Sequence, residues 1–233
     1  MSSDSVSLLK YFYSNLPSFC RITVILGFFL CIFGESESRI SFTLPEKLLK
    51  SVASQYGEPA KRRLIAWQTL IRDDSSTSDI EKLEKTNDFF NQMQFIDDII
   101  HWEKADYWAT PVEFLSTGGG DCEDFSLAKY FTLKALGVEE SKLNMTYVKA
   151  LRLNQAHMVI TYYATPDAVP LVLDNLVADI RPATKRKDLL PVYSFNGLGL
   201  WLAKSRGKGQ KVGSSERLRR WQDLLSRMPE GLN

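Results

Sequence analysis

Cysteine and histidine are scarce in this sequence. Its 233 residues hold three cysteines, Cys20, Cys31 and Cys122, and two histidines, His101 and His157. A surplus of either charge is also missing, with 29 Lys plus Arg against 28 Asp plus Glu. That balance argues against nucleic acid as a partner, because nucleic-acid binders carry a basic face. No internal repeat and no long low-complexity tract is present. The longest uncharged apolar run, Ile22 to Phe33, has only 12 residues, whereas a membrane-spanning helix needs about 20.

That short run has a positive flank in Lys10 and Arg21, and small residues follow it at Gly34, Ser36 and Ser38. Such an order describes a secretory signal, either cleaved or kept as an anchor. Cys31 follows Leu30, where a lipoprotein signal would place a small residue. The chain therefore divides into a signal peptide or signal anchor over 1–38 and one domain over 39–233. At 44% hydrophobic and 24% charged residues, that domain has enough apolar sequence for a full core. An exported chain is expected in the periplasm. Removal of the signal leaves Cys122 as the sole cysteine, which is then buried and inert, joined to another chain, or reactive.

The first part, 39–102, reads as helical. Leu44, Leu48, Leu49 and Val52 recur at helical spacing, as do Leu64, Trp67, Leu70 and Ile71, with a break around Tyr56 to Pro59. A third helix is expected from Ser78 to Ile100, with Phe89, Phe90, Met93, Ile96 and Ile100 on one face. The second part, 103–200, opens with Gly118-Gly119-Gly120 and a helix from Cys122 to about Leu136, closed by Gly137. Short β-branched and aromatic runs follow at Met145–Leu151, Met158–Tyr163 and Leu171–Leu173. The turn Thr165-Pro166-Asp167-Ala168 makes the last two a hairpin. Helices first, then one helix packed on an antiparallel sheet, give an α+β fold. The remainder, 204–233, holds a basic loop (Lys204 to Lys211) and a helix from about Ser214 to Met228. Leu218, Trp221, Leu224 and Leu225 form its apolar face, which is expected to dock on the domain rather than on a membrane.

Chemistry concentrates on three of these elements. Cys122 sits at a helix N-terminus, whose partial positive charge and open N–H groups favour a thiolate and a developing oxyanion. The three glycines before it let a substrate approach the backbone closely. His157 begins a strand, and Asp174 ends the partner strand of the hairpin. An aspartate on the far ring nitrogen fixes the tautomer of a histidine that serves a nucleophile. The residues alone leave open a second reading, a buried cysteine and a satisfied structural histidine. His101, between Ile100 and Trp102, reads as structural. Asp121, Glu123 and Asp124 also admit two readings. They either cap the helix and favour its positive end, or surround a hard cation that neutralises their field beside the thiol.

The segments Ala105 to Pro111, Gly119-Gly120-Asp121-Cys122-Glu123-Asp124, Ala156-His157-Met158-Val159 and Leu173-Asp174-Asn175 resemble the bacterial transglutaminase-like cysteine proteinases, and within them the LapG-type periplasmic proteases. The resemblance runs from about Trp102 to Val192. It implies a papain-like, transglutaminase-like fold with a Cys122–His157–Asp174 triad, and calcium as cofactor on Asp121, Glu123 and Asp124. It also implies cleavage of a large surface adhesin at a di-alanine site, which disperses a biofilm. Sequestration by an inner-membrane cyclic-di-GMP receptor would control the enzyme. A transglutaminase or amidase on the same fold, and a binding module without catalysis, are the competing classes. Trp102, Tyr107 and Trp108 read as core residues that could also wall a cleft. Asp106, Asp179 and Arg181 are polar residues near the site in sequence.

Overall fold

The computed structural model describes residues 42–74, 77–202 and 209–229. The expected signal over 1–38 and most of the basic loop from Lys204 lie outside the described residues. Among the described residues no helix is long and apolar enough to cross a membrane.

The N-terminal part is helical, as its spacing required. Helix α1 (Glu46–Tyr56) and helix α2 (Glu58–Asp74) meet at Gly57, whose φ of 83° only glycine adopts without strain. Helix α3 (Asp79–Phe90) starts at a capping box, in which Ser78 and Glu81 satisfy each other's backbone N–H groups. The stretch expected as a single helix from Ser78 to Ile100 is two helices with a short strand between them. The first stops at Phe90, and Gln94–Phe95 (β1) turns extended to pair with Gly119–Gly120 (β2). A short helix α4 (Asp98–His101) follows. Phe90 is fully buried while Ile100 is 73% exposed, so no one apolar face runs through both. Backbone pairing with the glycine loop outweighed the helical period.

Helix α5 (Pro111–Thr117) has a second capping box, between Thr110 and Glu113, with Pro111 in its first turn, where a missing N–H costs nothing. Helix α6 (Cys122–Ala135) then runs along a seven-stranded sheet in the order β6-β5-β4-β3-β7-β8-β9. Its strands are β3 (Leu143–Ala150), β4 (Gln155–Tyr162), β5 (Leu171–Leu173), β6 (Arg181–Pro182), β7 (Leu189–Asn196), β8 (Gly199–Leu202) and β9 (Lys211–Gly213), and all neighbours are antiparallel. The expected β4–β5 hairpin is present, with Ile160 opposite Leu173.

Helix α6 is the middle layer, between the sheet and the N-terminal helices. Phe125, Leu127, Tyr130, Phe131 and Leu133 are all buried, and Trp67 of α2 donates its indole N–H to Thr132 at 2.7 Å. A fully buried Phe such as Phe90 or Phe114 contributes about 1.5–3 kcal/mol by leaving water. Its loss to Ala costs about 3–5 kcal/mol. The C-terminal helix α7 (Arg219–Arg227) docks as expected: Trp221 and Leu224 are buried, and Trp221 stacks on Phe131 at 5.6 Å. Arg227 of this helix reaches inward to Glu113 at 2.6 Å and to the Trp108 carbonyl at 2.7 Å. On the sheet face away from α6, Val148, Val159 and Val172 form a second apolar cluster, beside a cavity of about 340 Å3.

Candidate active site

The site forms where the glycine loop enters helix α6. Gly118 closes α5 with a left-handed φ of 86°. A Cβ on Gly119 would strike the Gln94 carbonyl, and one on Gly120 would strike the Asp124 carboxylate. The loop was expected to clear space for a substrate; these glycines answer to neighbours within the chain. Asp121 caps the helix, its Oδ1 accepting from the N–H groups of Glu123 and Asp124 at 3.0 and 3.4 Å.

Cys122 starts α6 half-buried, in contact with the core. Its thiol donates to Glu123 Oε2 at 2.7 Å. Burial pushes the thiol far above its ordinary range, and the charges of Glu123 and Asp121 add to that; the Met158 N–H opposes it. Met158 follows His157 on β4, the strand whose Met158 and Ile160 pack in the same core as α6.

His157 is 4% exposed, and its Nε2 meets Asp174 Oδ1 at 2.8 Å. That leaves Nδ1 as the nitrogen for another partner. Asp174 is held at all three of its oxygens. Oδ1 also accepts from the Leu176 N–H at 2.9 Å, and Oδ2 accepts from Arg186 Nη2 at 2.6 Å. Its main-chain carbonyl accepts from Asn91 Nδ2 at 2.9 Å and Lys129 Nζ at 3.2 Å. Burial favours the neutral acid, but the bonds and charge from His157, Leu176 and Arg186 outweigh it and hold this carboxyl down at about 2.

The acids flanking Cys122 separate into two groups. Asp121 and Asp124 converge with Asp98 of α4, one ligand oxygen from each lying within 4.8 Å of the others. Glu123 groups instead with Asp121 and Cys122, and its Oε1 accepts from the Tyr147 hydroxyl at 2.6 Å. Burial pushes Asp124 up to about 8. Burial and the charges of Glu123, Asp124 and Asp98 push Asp121 up to about 9. Asp98 Oδ1 and Asp124 Oδ2 are buried with no hydrogen-bond partner among the described residues. A cluster of hard oxygens with orphaned lone pairs and unrelieved negative charge fits a calcium ion.

Two of the other residues singled out in the sequence border the acid cluster: the Tyr107 main-chain N–H donates to Asp98 Oδ2 at 2.5 Å, and the charge of Asp106 helps to raise the Asp98 carboxyl. His101 is tied to the Thr117 hydroxyl at 2.9 Å. Trp108 stacks on Phe195 at 5.6 Å, and Trp102 tilts against Tyr107 at 4.9 Å. Asp106 pairs with Arg220 and Asp179 with exposed Arg181. Three contributors carried no signal in the sequence. Asp98 lay in a stretch read as one helix, Arg186 between Lys185 and Lys187 in a stretch with no motif, and Tyr147 in an ordinary strand pattern.

The family profile described as "Bacterial transglutaminase-like cysteine proteinase BTLCP" matches residues 66–189. The solved structure of Legionella pneumophila LapG is 47% identical, with a TM-score of 0.68 over 78% of this chain and 96% of that one. A calcium-bound structure of Legionella pneumophila LapG is 47% identical, with a TM-score of 0.67 over 78% and 97%. An EGTA-treated one is 46% identical, with a TM-score of 0.68 over 78% and 96%. No curated protein sequence matches the chain.

Proposed function

Because the chain belongs to the bacterial transglutaminase-like cysteine proteinases, we propose that it is a calcium-dependent cysteine endopeptidase of the periplasm, with Cys122, His157 and Asp174 as its catalytic triad. The observation that carries this reading is the junction of α6 with β4. Cys122 starts the helix that packs on β4, and on that strand His157 is bonded to Asp174 at 2.8 Å.

In this reading His157 takes the thiol proton through Nδ1, and the Cys122 sulfur attacks the scissile carbonyl. The main-chain N–H of Cys122, at the helix start, donates to the oxyanion. The protonated imidazole, steadied by Asp174, then delivers its proton to the leaving amine. Water hydrolyses the resulting thioester by the reverse sequence of proton transfers. Asp98, Asp121 and Asp124 would hold the calcium ion, and Glu123 is a further carboxylate whose oxygens now engage Cys122 and Tyr147. When bound, the ion supplies positive charge that offsets the carboxylates around the thiol.

The substrate in this reading is the N-terminal region of a large surface adhesin, cut at a di-alanine site, so that cleavage frees the adhesin and disperses a biofilm. An inner-membrane cyclic-di-GMP receptor would restrain the enzyme by sequestering it. The likeness to LapG in its calcium-bound and EGTA-treated forms supports the cofactor; the substrate and the receptor follow from the family resemblance of the motifs around Cys122, His157 and Asp174. The test is cleavage of an adhesin fragment carrying a di-alanine site, by the mature chain and by Cys122→Ala, with and without a calcium chelator. Loss in both the variant and the chelated sample supports the reading. Cleavage by Cys122→Ala sinks it, and an amine-dependent product would move the assignment to a transglutaminase.

A further inference from the structure

Arg186 is buried where a guanidinium gains little by itself. It is 4% exposed, and it lies in the connection between β6 and β7, two residues before its second partner, Asp188. Its Nη2 meets Asp174 Oδ2 at 2.6 Å and Asp188 Oδ2 at 2.8 Å, and its Nε reaches Asp188 Oδ1 at 3.1 Å. Nη1 is buried with no partner among the described residues. Replacing a buried ion pair by apolar side chains is often neutral or stabilising, so such a pair is weak evidence of a stabilising role. The orphaned Nη1 makes that role weaker still.

What the guanidinium does is complete Asp174. The two oxygens of that carboxylate divide their work: Oδ1 faces His157 and the Leu176 N–H, and Oδ2 faces Arg186. His157 cannot serve as the permanent counter-charge, because its charge changes as it gives and takes a proton. Arginine stays protonated at any working pH and presents a rigid fork to a carboxylate. We propose that Arg186 is a positioning residue of the active site, keeping Asp174 ionised and oriented so that His157 holds its Nε2–H toward Asp174 and its Nδ1 toward Cys122. It touches no substrate and acts through Asp174. The proposal rests on the triad proposed above.

The experiment compares the mature wild type, Arg186→Met and Arg186→Lys. It measures kcat and KM for the di-alanine adhesin fragment from about pH 5 to about pH 9, and the rate at which iodoacetamide modifies Cys122. Arg186→Met is expected to lower kcat about 100-fold, the scale of a misplaced catalytic group, with KM little changed. The acid limb of its rate profile should move to higher pH, since a buried Asp174 without its counter-charge takes up a proton more readily. Arg186→Lys, with charge but no fork, should fall between the two. Wild-type kcat and an unshifted acid limb in a folded Arg186→Met overturn the proposal. If Arg186→Met does not fold, Arg186→Gln, which keeps a donor without charge, takes its place with the same expected loss and the same overturning result. A wild type that neither cleaves nor reacts with iodoacetamide marks failure of the protease reading itself. A wild type that does both, matched by the Met or Gln variant, marks failure of Arg186 alone.

Discussion

Asp124 and Asp174 are equally buried, at 0% and 1% exposure, yet the first is pushed up to about 8 and the second held at about 2. Depth is the same, so partners make the difference. Asp174 has a donor for each carboxylate oxygen and a fixed positive charge beside it. Asp124 has the Ala109 N–H on Oδ1 at 2.7 Å, nothing on Oδ2 among the described residues, and further carboxylates at Asp98, Asp121 and Glu123. One half of the site is finished by the chain alone. The other has the donors and charge deficit of a cation site, and it lies directly beside the nucleophile.

The comparison breaks most sharply at Asp174. Asp174→Asn should lower cleavage about 10,000-fold, as loss of the group that fixes the histidine tautomer does elsewhere. It also leaves Arg186 with Asp188 as its remaining counter-charge, which should cost about 1–3 kcal/mol in a denaturant melt. The matching change on the other side should have the opposite sign. Asp124→Asn removes a buried carboxylate that has no partner for Oδ2, so the calcium-free protein should gain about 1–3 kcal/mol. Its melting temperature should then respond to calcium less than that of the wild type, as a scan with and without a chelator would show.

A third measurement sharpens the contrast through pH. The carboxyls of Asp121 and Asp124, raised to about 9 and about 8, bind protons in the folded chain across a range where the unfolded chain has released them. Without calcium, the stability contributed by these groups therefore falls as pH rises from about 4 toward 9. The gain in melting temperature from calcium should be larger at pH 8 than at pH 5. For Asp174 the sign reverses: its depressed carboxyl stabilises the fold above about pH 4, and that contribution of about 2 kcal/mol is lost only as pH falls toward 2. The smallest effect belongs to the link between the halves. Tyr147→Phe removes the 2.6 Å bond to Glu123 and should cost about 1 kcal/mol of stability, read in the same melts.

What was legible in the sequence follows the same division. The helix at Cys122, its cap at Asp121 and its end at Gly137 were local patterns, and the β4–β5 hairpin that carries His157 and Asp174 was set by β-branched runs around a Pro-Asp turn. Local signals of this kind survive folding intact. Asp98 was hidden because Phe89, Phe90, Met93 and Ile96 mimicked one continuous helix, while the chain actually breaks at Asn91 to pair with the glycine loop. Arg186 was hidden because it lies between Lys185 and Lys187 in a stretch with no motif, and nothing local shows that its side chain turns under the sheet toward Asp174. Glu123, expected beside Asp121 and Asp124 as a metal ligand, lies with Asp121 and Cys122, and its partners Tyr147 and the thiol were not legible from spacing. Contacts between distant elements decide these three, and spacing along the chain does not encode them.

The most direct test of the account is the reactivity of Cys122 toward iodoacetamide at neutral pH, in calcium and after chelation. If the cation offsets the carboxylates that hold the thiol protonated, calcium should speed modification by about tenfold for each pKa unit by which it lowers the thiol. Equal rates in calcium and chelator would contradict the account, because the acids around Cys122 would then be caps of its helix and nothing more.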